Sequence, residues 1–190
     1  MLGHWRGREA VWRNVALEHD VPAHAEDARA FPTDLAAPLR TALERRGIHQ
    51  LYAHQVEAFT RAQAGDVVVA TPTASGKSLC YNLPVLDAFC RNQDARALYL
   101  FPTKALSRDQ EVGLRGLMTD AGLPHGAVVF DGDTPPDARR AAKARSGVIL
   151  TNPDMLHTGV LPHHTAWARL FAHLSYVVID ELHAYRGVFG

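Results

Sequence analysis

Five short runs rich in valine, isoleucine and leucine recur along the chain: VVVA at 67–70, ALYLF at 97–101, AVVF at 127–130, GVIL at 147–150 and YVVI at 176–179. Continuous apolar runs of this length suit strands buried on both faces of a parallel sheet. Between them the apolar positions change to helical spacing, which predicts helices over 77–91, 104–121 and 136–145 and a short one from 153. Upstream, Tyr52, Val56 and Phe59 predict a helix over 52–64, and Leu39, Leu43 and a stop at Gly47 predict a short one after Pro38. Pro84 lies inside the 77–91 segment, where a kink is expected. The first 35 or so positions mix His, Arg, Glu and Ala with little period. They read as an N-terminal extension (1–35) with one short helix over 8–18, ahead of a domain over 36–190. Strand–helix alternation at this spacing predicts an α/β, mostly parallel, doubly wound sheet. Ligands of such sheets bind beyond the carboxyl ends of the strands, so those ends are where chemistry is sought.

Composition narrows the picture. The 190 residues suffice for one domain, and a hydrophobic fraction of 47% is that of an ordinary globular chain. Lys and Arg number 20, as do Asp and Glu, so the net charge is zero. Nucleic acid is therefore not held by an overall basic surface, and any such partner needs a local track. No run of about 18 apolar residues is present, and the opening MLGHWRGREAVW lacks the apolar core of a secretory signal. Cys80 and Cys90, on one predicted helix, would lie roughly 15 Å apart at about 1.5 Å per residue. A disulfide needs α-carbons within about 7 Å, so both are expected as free thiols of a reducing cytoplasm. His163 and His164 have no Cys or carboxylate neighbours at ligand spacing and are expected at the surface.

The first strand runs into TPTASGKS (71–78), and a helical pattern follows it. Strand, glycine-containing turn and helix are the parts of a phosphate loop. Its backbone N–H groups, from Thr71, Thr73, Ala74, Ser75 and Gly76 onward, would face phosphate oxygens, with Gly76 allowing close approach. Lys77 would supply charge to the β- and γ-phosphates, and the Ser78 hydroxyl would reach Mg²⁺. Thr71 stands where the usual pattern has glycine, which the loop tolerates only if that position has negative φ. The last strand ends in Asp180 and Glu181. A carboxylate there is placed to hold Mg²⁺ through water, and its neighbour to orient the attacking water.

With these residues in view the chain resembles a family. TASGKS and DELH resemble motifs I and II of superfamily 2 DEAD/DEAH-box helicases. YAHQ resembles the Q motif, FPTKALSRDQ motif Ia and TNPDML motif Ib, in the family's order from about residue 48 onward. LYAHQVEA, TASGKSLCYNLPVL, DGDTP and IDELHAYRGVFG bring it nearest to the bacterial DEAH helicases of the mitomycin repair factor A kind. Those are DNA helicases with a C-terminal four-cysteine, zinc-binding region.

The resemblance implies a RecA-like ATP-binding domain, ATP and Mg²⁺ as cofactors, DNA as partner and repair as setting. Gln55 would read adenine, since a carboxamide pairs with both N6 and N7 of that base. Tyr52, one turn earlier, is either a stacking face for the base or a core aromatic. Pro102, Thr103 and Lys104, then Gly132 and Thr134, then Thr151, Asn152 and Pro153 would line a nucleic-acid backbone. Thr103, Thr134 and Asn152 are expected as helix caps whose N–H groups face phosphates. RRAAKAR (139–145) is either an added contact or a solvated helix face. His183 would couple the nucleotide site to other motifs. Motif III and a second RecA-like domain with its arginine finger are missing from the sequence. Little ATPase activity and no unwinding are therefore expected of these 190 residues alone. Other readings are a P-loop enzyme of another class, although N-K-x-D and L-S-G-G-Q do not occur, a scaffold binding ATP or nucleic acid, and an RNA helicase.

Overall fold

The structure is a computed structural model that describes residues 27–72 and 75–185. The helix expected over 8–18 lies outside the described residues, as do Thr73 and Ala74 of the phosphate loop.

Four strands form a parallel sheet: β3 (Arg96–Leu100), β4 (Gly126–Val129), β5 (Ser146–Thr151) and β6 (Leu174–Ile179), in the order β4-β5-β3-β6. A small antiparallel pair, β1 (Ala28–Arg29) with β2 (Leu51–Tyr52), stands apart from it. The helices that carry the argument are α1 (Ala37–Arg45), α2 (Ala53–Ala62), α3 (Lys77–Arg91), α4 (Lys104–Asp120) and α5 (Pro136–Arg145). Each helix expected among the described residues is found close to its predicted bounds, except the one from 153. That segment is a succession of short turns: Pro153–Met155, a wide turn over Leu156–Val160, a tight one over Leu161–Trp167, and Ala168–Ala172. Helix α3 runs through Pro84, which is buried in the core.

The strands form because apolar side chains of both faces find cover. Ala97, Tyr99, Val148 and Leu150 pack with α1, α3 and α4 on one side. Leu98, Leu100 and Ile149 pack with Phe130, Trp167 and Leu170 on the other. Trp167 meets Phe130 edge-on at 4.7 Å. On the first side, buried Asp87 of α3 accepts the Ala36 N–H at 2.7 Å and the Arg91 guanidinium at 2.6 Å, tying α3 to the start of α1.

One expected strand is absent. Residues 67–70 join no ladder among the described residues, and Val68 is 83% exposed. Val67 and Val69 stand across a cavity of about 380 Å³ from Val177 and Ile179 of β6. A strand exists only when a partner's N–H and C=O groups are in reach, and here the gap keeps them apart.

Candidate functional site

The carboxyl ends of the strands carry the predicted chemistry. The 67–70 segment leads into the phosphate loop, whose last glycine, Gly76, has φ of 75° and precedes α3. Its α-carbon lies so close to Gln55 that a Cβ would stand 2.6 Å from Nε2. Glycine is thus required twice, for the left-handed backbone and for the close approach. Thr71 is not strained: Glu181 is the sole non-glycine residue with positive φ among the described residues. The departure from the glycine pattern therefore does not disturb the loop.

Short contacts hold the loop. The Thr71 and Ser75 hydroxyls lie 2.7 Å apart, and Lys77 Nζ donates to the Thr71 carbonyl at 3.2 Å. From α2, a His54 ring nitrogen meets the Ser75 carbonyl at 3.0 Å, and Gln55 Nε2 donates to the Gly76 carbonyl at 3.0 Å. Gln55 Oε1 accepts the Tyr52 N–H at 2.9 Å, closing the N-terminus of α2. This differs from a carboxamide held free for adenine. Gln55 is only 3% exposed, and a buried amide must be satisfied, so the loop and the cap take one donor and one acceptor site. Tyr52 is 37% exposed and stacks on His54 with centroids 5.6 Å apart, so it is not a core aromatic.

Asp180 and Glu181 follow β6. They share a cavity of about 920 Å³ with Thr71, Pro72, Lys77 and His183. Glu181 has φ of 50° and ψ of 46°, a conformation that costs a non-glycine residue roughly 1–2 kcal/mol. Asp180 Oδ1 accepts the Glu181 N–H at 2.9 Å, which helps hold that turn. His183 Nδ1 lies 3.2 Å from Glu181 Oε2. The Tyr185 hydroxyl is buried without a hydrogen-bond partner among the described residues; burial, with Asp180 and Glu181 nearby, pushes it up to about 12.

One residue was missed by sequence reasoning. The Tyr81 hydroxyl, one turn after Ser78 on α3, lies 3.4 Å from Asp180 Oδ2 and 3.2 Å from Gln110 Oε1 of α4. The Ser78 side chain is also within its hydrogen-bonding reach. Burial pushes this phenol up, and Asp180 adds to the shift, so it remains a donor. The available signal was its i+3 spacing from Ser78, which aims both side chains along one helix face. Ser78 and Asp180 thus present hard oxygen donors around one hydroxyl, a donor set that fits Mg²⁺.

The remaining predicted residues lie along the same sheet edge, because β4, β5 and β3 are neighbours. Thr103 caps α4, its hydroxyl accepting the Leu106 N–H at 3.3 Å; Pro102 precedes it, and Lys104 is exposed. Asn152 Oδ1 accepts the Met155 N–H at 2.8 Å with Pro153 next, but the helix it caps has only three residues. Two expectations fail. Thr134 caps no helix; Pro135 holds that position, and the Thr134 hydroxyl closes the DGDT turn by accepting the Asp131 N–H at 2.9 Å. Thr151 is 1% exposed and donates to the Phe130 carbonyl at 2.7 Å, because it ends a strand flanked on both sides. It faces no ligand.

The DGDT turn also gathers cations. Lys104 Nζ pairs with Asp133 at 2.7 Å, and Arg108, four residues on, lies 3.6 Å from buried Asp131. Lys104 holds the Asp133 carboxyl below the usual range. Gly132 is exposed between these carboxylates. Arg139 donates to the carbonyls of Asp131, Gly132 and Thr134 and lies over the Phe130 ring. Arg140 pairs with Asp137, and Lys143 lies over Trp167. Arg139, Arg140 and Lys143 of the basic run are thus engaged within the protein.

Comparison with known proteins follows this geometry. A family model described as DEAD/DEAH box helicase matches residues 52–190. The ATP-dependent helicase YprA of Bacillus subtilis is 47% identical over 178 residues, 93% of this chain and 24% of that protein. The ATP-dependent helicase HRQ1 of Saccharomyces cerevisiae is 36% identical over 173 residues, 90% of this chain and 16% of that one. The crystal structure of the DUF1998 helicase MrfA bound to DNA and AMPPNP superposes with a TM-score of 0.89 at 45% identity, covering 100% of this chain and 26% of that one. The chain spans about a quarter or less of each of these relatives. Among the described residues, no helix is long and apolar enough to cross a membrane.

Proposed function

The chain belongs to the DEAD/DEAH box helicase family, and from that premise we propose that it is the ATP-binding part of an ATP-dependent DNA helicase acting in repair. The observation that carries the reading is the single cavity joining the phosphate loop to Asp180 and Glu181 at the carboxyl ends of the strands. Lys77 faces the β- and γ-phosphates. Ser78 and Asp180 hold Mg²⁺, which when bound neutralises charge on the transferred phosphoryl group. Glu181 orients the attacking water. Thr71, Thr73, Ala74, Ser75 and Gly76 form the cradle, and Tyr52 stands at the adenine side. Gln55 pins the loop there; its remaining N–H and lone pair are the ones an adenine edge would use.

The nucleic-acid track consists of Pro102, Thr103, Lys104, Gly132, Asn152 and Pro153, with Thr134 acting behind it by shaping the turn. DNA is the favoured strand because the similar MrfA structure is bound to DNA. A second RecA-like domain supplies the arginine finger and the other wall of the ATP site. The domain division at 35/36 and a cytoplasmic location belong to the same proposal. His183, paired with Glu181, transmits the state of the DELH turn.

The test compares ATP with GTP binding, and DNA-stimulated ATP hydrolysis by the full-length protein beside Glu181→Gln. Preference for ATP, with hydrolysis lost in the variant by 100-fold or more on the usual scale of such groups, is expected. Equal binding of ATP and GTP with no effect of Gln55→Ala points to another P-loop class. Equal hydrolysis by both proteins leaves only a scaffold. Turnover by the isolated 190 residues at full-length rates would refute the need for a second domain.

A further inference from the structure

A phenol has one proton to donate, and the Tyr81 phenol faces two acceptors. Gln110 Oε1 lies at 3.2 Å and Asp180 Oδ2 at 3.4 Å, both at the long end for O–H···O bonds. One proton cannot serve both at full strength, so the two acceptors compete for it. The ring is held in place: it meets Tyr99 edge-on at 5.6 Å, and Tyr99, 1% exposed, donates to Asn82 at 3.0 Å. The two acceptors belong to different functions. Asp180 belongs to the ATP site. Gln110 lies on the inward side of α4, between buried Ser107 and Leu114, and α4 begins at Lys104 behind the Thr103 cap.

We propose that Tyr81 is a positioning residue that couples Asp180 to helix α4, so that nucleotide occupancy and nucleic-acid grip influence each other. The inference rests on the reading above, in which ATP·Mg²⁺ and DNA occupy these two places. When the Asp180 oxygens face a hydrated cation, the Tyr81 proton goes to Gln110 and α4 is tied to α3. When they do not, the proton is shared and the tie slackens. Because coupling between two sites is reciprocal, DNA that fixes α4 raises affinity for ATP·Mg²⁺ by the same factor.

The experiment uses the full-length protein, its Tyr81→Phe and Gln110→Ala variants, and the double variant. Affinity for a fluorescein-labelled single-stranded DNA is measured by anisotropy, with and without AMPPNP and Mg²⁺. The ratio of the two dissociation constants is the coupling factor. Tyr81→Phe is expected to bring that factor at least threefold closer to one, while DNA affinity without nucleotide stays within twofold. Gln110→Ala is expected to do the same, and the double variant no more than either single change, as for two members of one link. A merely structural role would lower both affinities and leave their ratio alone. An unchanged ratio, or single effects that multiply in the double variant, overturns the proposal. Should Tyr81→Phe fail to fold, Gln110→Ala decides alone. Wild-type protein that binds both ligands without coupling overturns this inference only; wild-type protein that binds neither overturns the functional reading as well.

Discussion

Replacing Gly76 by alanine strikes the loop through two separable effects. The first is backbone: φ of 75° costs a residue with a Cβ roughly 1–2 kcal/mol. The second is contact: the new methyl would lie 2.6 Å from Gln55 Nε2. Gln55 cannot turn aside freely, because it is buried and bonded at both ends, to the Gly76 carbonyl and the Tyr52 N–H. Displacing it loses two part-buried hydrogen bonds at about 0.5–1.5 kcal/mol each, although the Gly76 carbonyl keeps the Leu79 N–H. Gly76→Ala should therefore cost about 2–5 kcal/mol in all, or roughly 4–20 °C in Tm for a chain of this size. In a Gln55→Ala background the obstacle is gone, and only the backbone cost of roughly 1–2 kcal/mol remains. The cycle of four proteins thus has an interaction term of about 1–3 kcal/mol, within the range for residues in contact. Urea unfolding followed by circular dichroism measures it. If Gly76→Ala costs the same in both backgrounds, the pinned carboxamide is wrong; if it costs under about 0.5 kcal/mol in either, so is the strained loop.

Further outcomes follow from other contacts. Lys104→Ala should lower the salt dependence of single-stranded DNA binding by less than one counterion, because Asp133 already pairs with it, and Asp133→Asn, which frees Lys104, should tighten binding at low salt and steepen that dependence; anisotropy titrations at several salt concentrations test both. Asp87→Ala should destabilise by about 2 kcal/mol in urea unfolding, because it leaves the Ala36 N–H and Arg91 without their carboxylate. His125 donates from Nε2 to the Gln93 carbonyl and stacks on Phe89, while its buried Nδ1 has no hydrogen-bond partner among the described residues. Burial holds this imidazole below its ordinary value near 6.5, so the folded state resists the second proton. Its contribution is present above that value and is lost as pH falls from there through the lower folded-state pKa. Unfolding between pH 7.5 and 5 should show this slope, and His125→Phe should flatten it.

The chain pattern disclosed four strands and five helices because their causes are local or nearly so. Apolar runs of β3 and β5 need cover on two faces and find it; α4 starts at Thr103 because that hydroxyl caps it. The run at 67–70 has the same composition as those strands but lacks a ladder, and hydrogen-bond partners are a tertiary matter that composition does not encode. The site was legible where spacing alone defines it, as at Gly76-Lys77-Ser78 and Asp180-Glu181. It was misread where a side chain's direction decides. Thr134 sits one residue before a proline like a cap, yet its hydroxyl turns back to the Asp131 N–H. Thr151 ends its strand in the interior row of the sheet, so its hydroxyl never reaches the edge. Tyr81 was invisible because its two partners lie 29 and 99 positions away.

The zero net charge acquires a structural meaning at the same edge. Of the cations near the strand ends, Lys104 and Arg108 face Asp131 and Asp133, Arg139 is bound to the carbonyls of the turn, and Arg140 has Asp137. On the proposed reading, a DNA phosphate that reaches Lys104 exchanges one anion for another instead of meeting a bare ammonium. Part of its attraction is offset by the Asp133 pairing it displaces, and binding through this edge has a shallower salt dependence than the number of cations suggests. The grip then depends on backbone N–H groups at the α4 cap, whose orientation is fixed by the helix and does not change with ionic strength. On that reading a neutral chain holds a polyanion through α4, the helix whose Gln110 faces the Tyr81 hydroxyl.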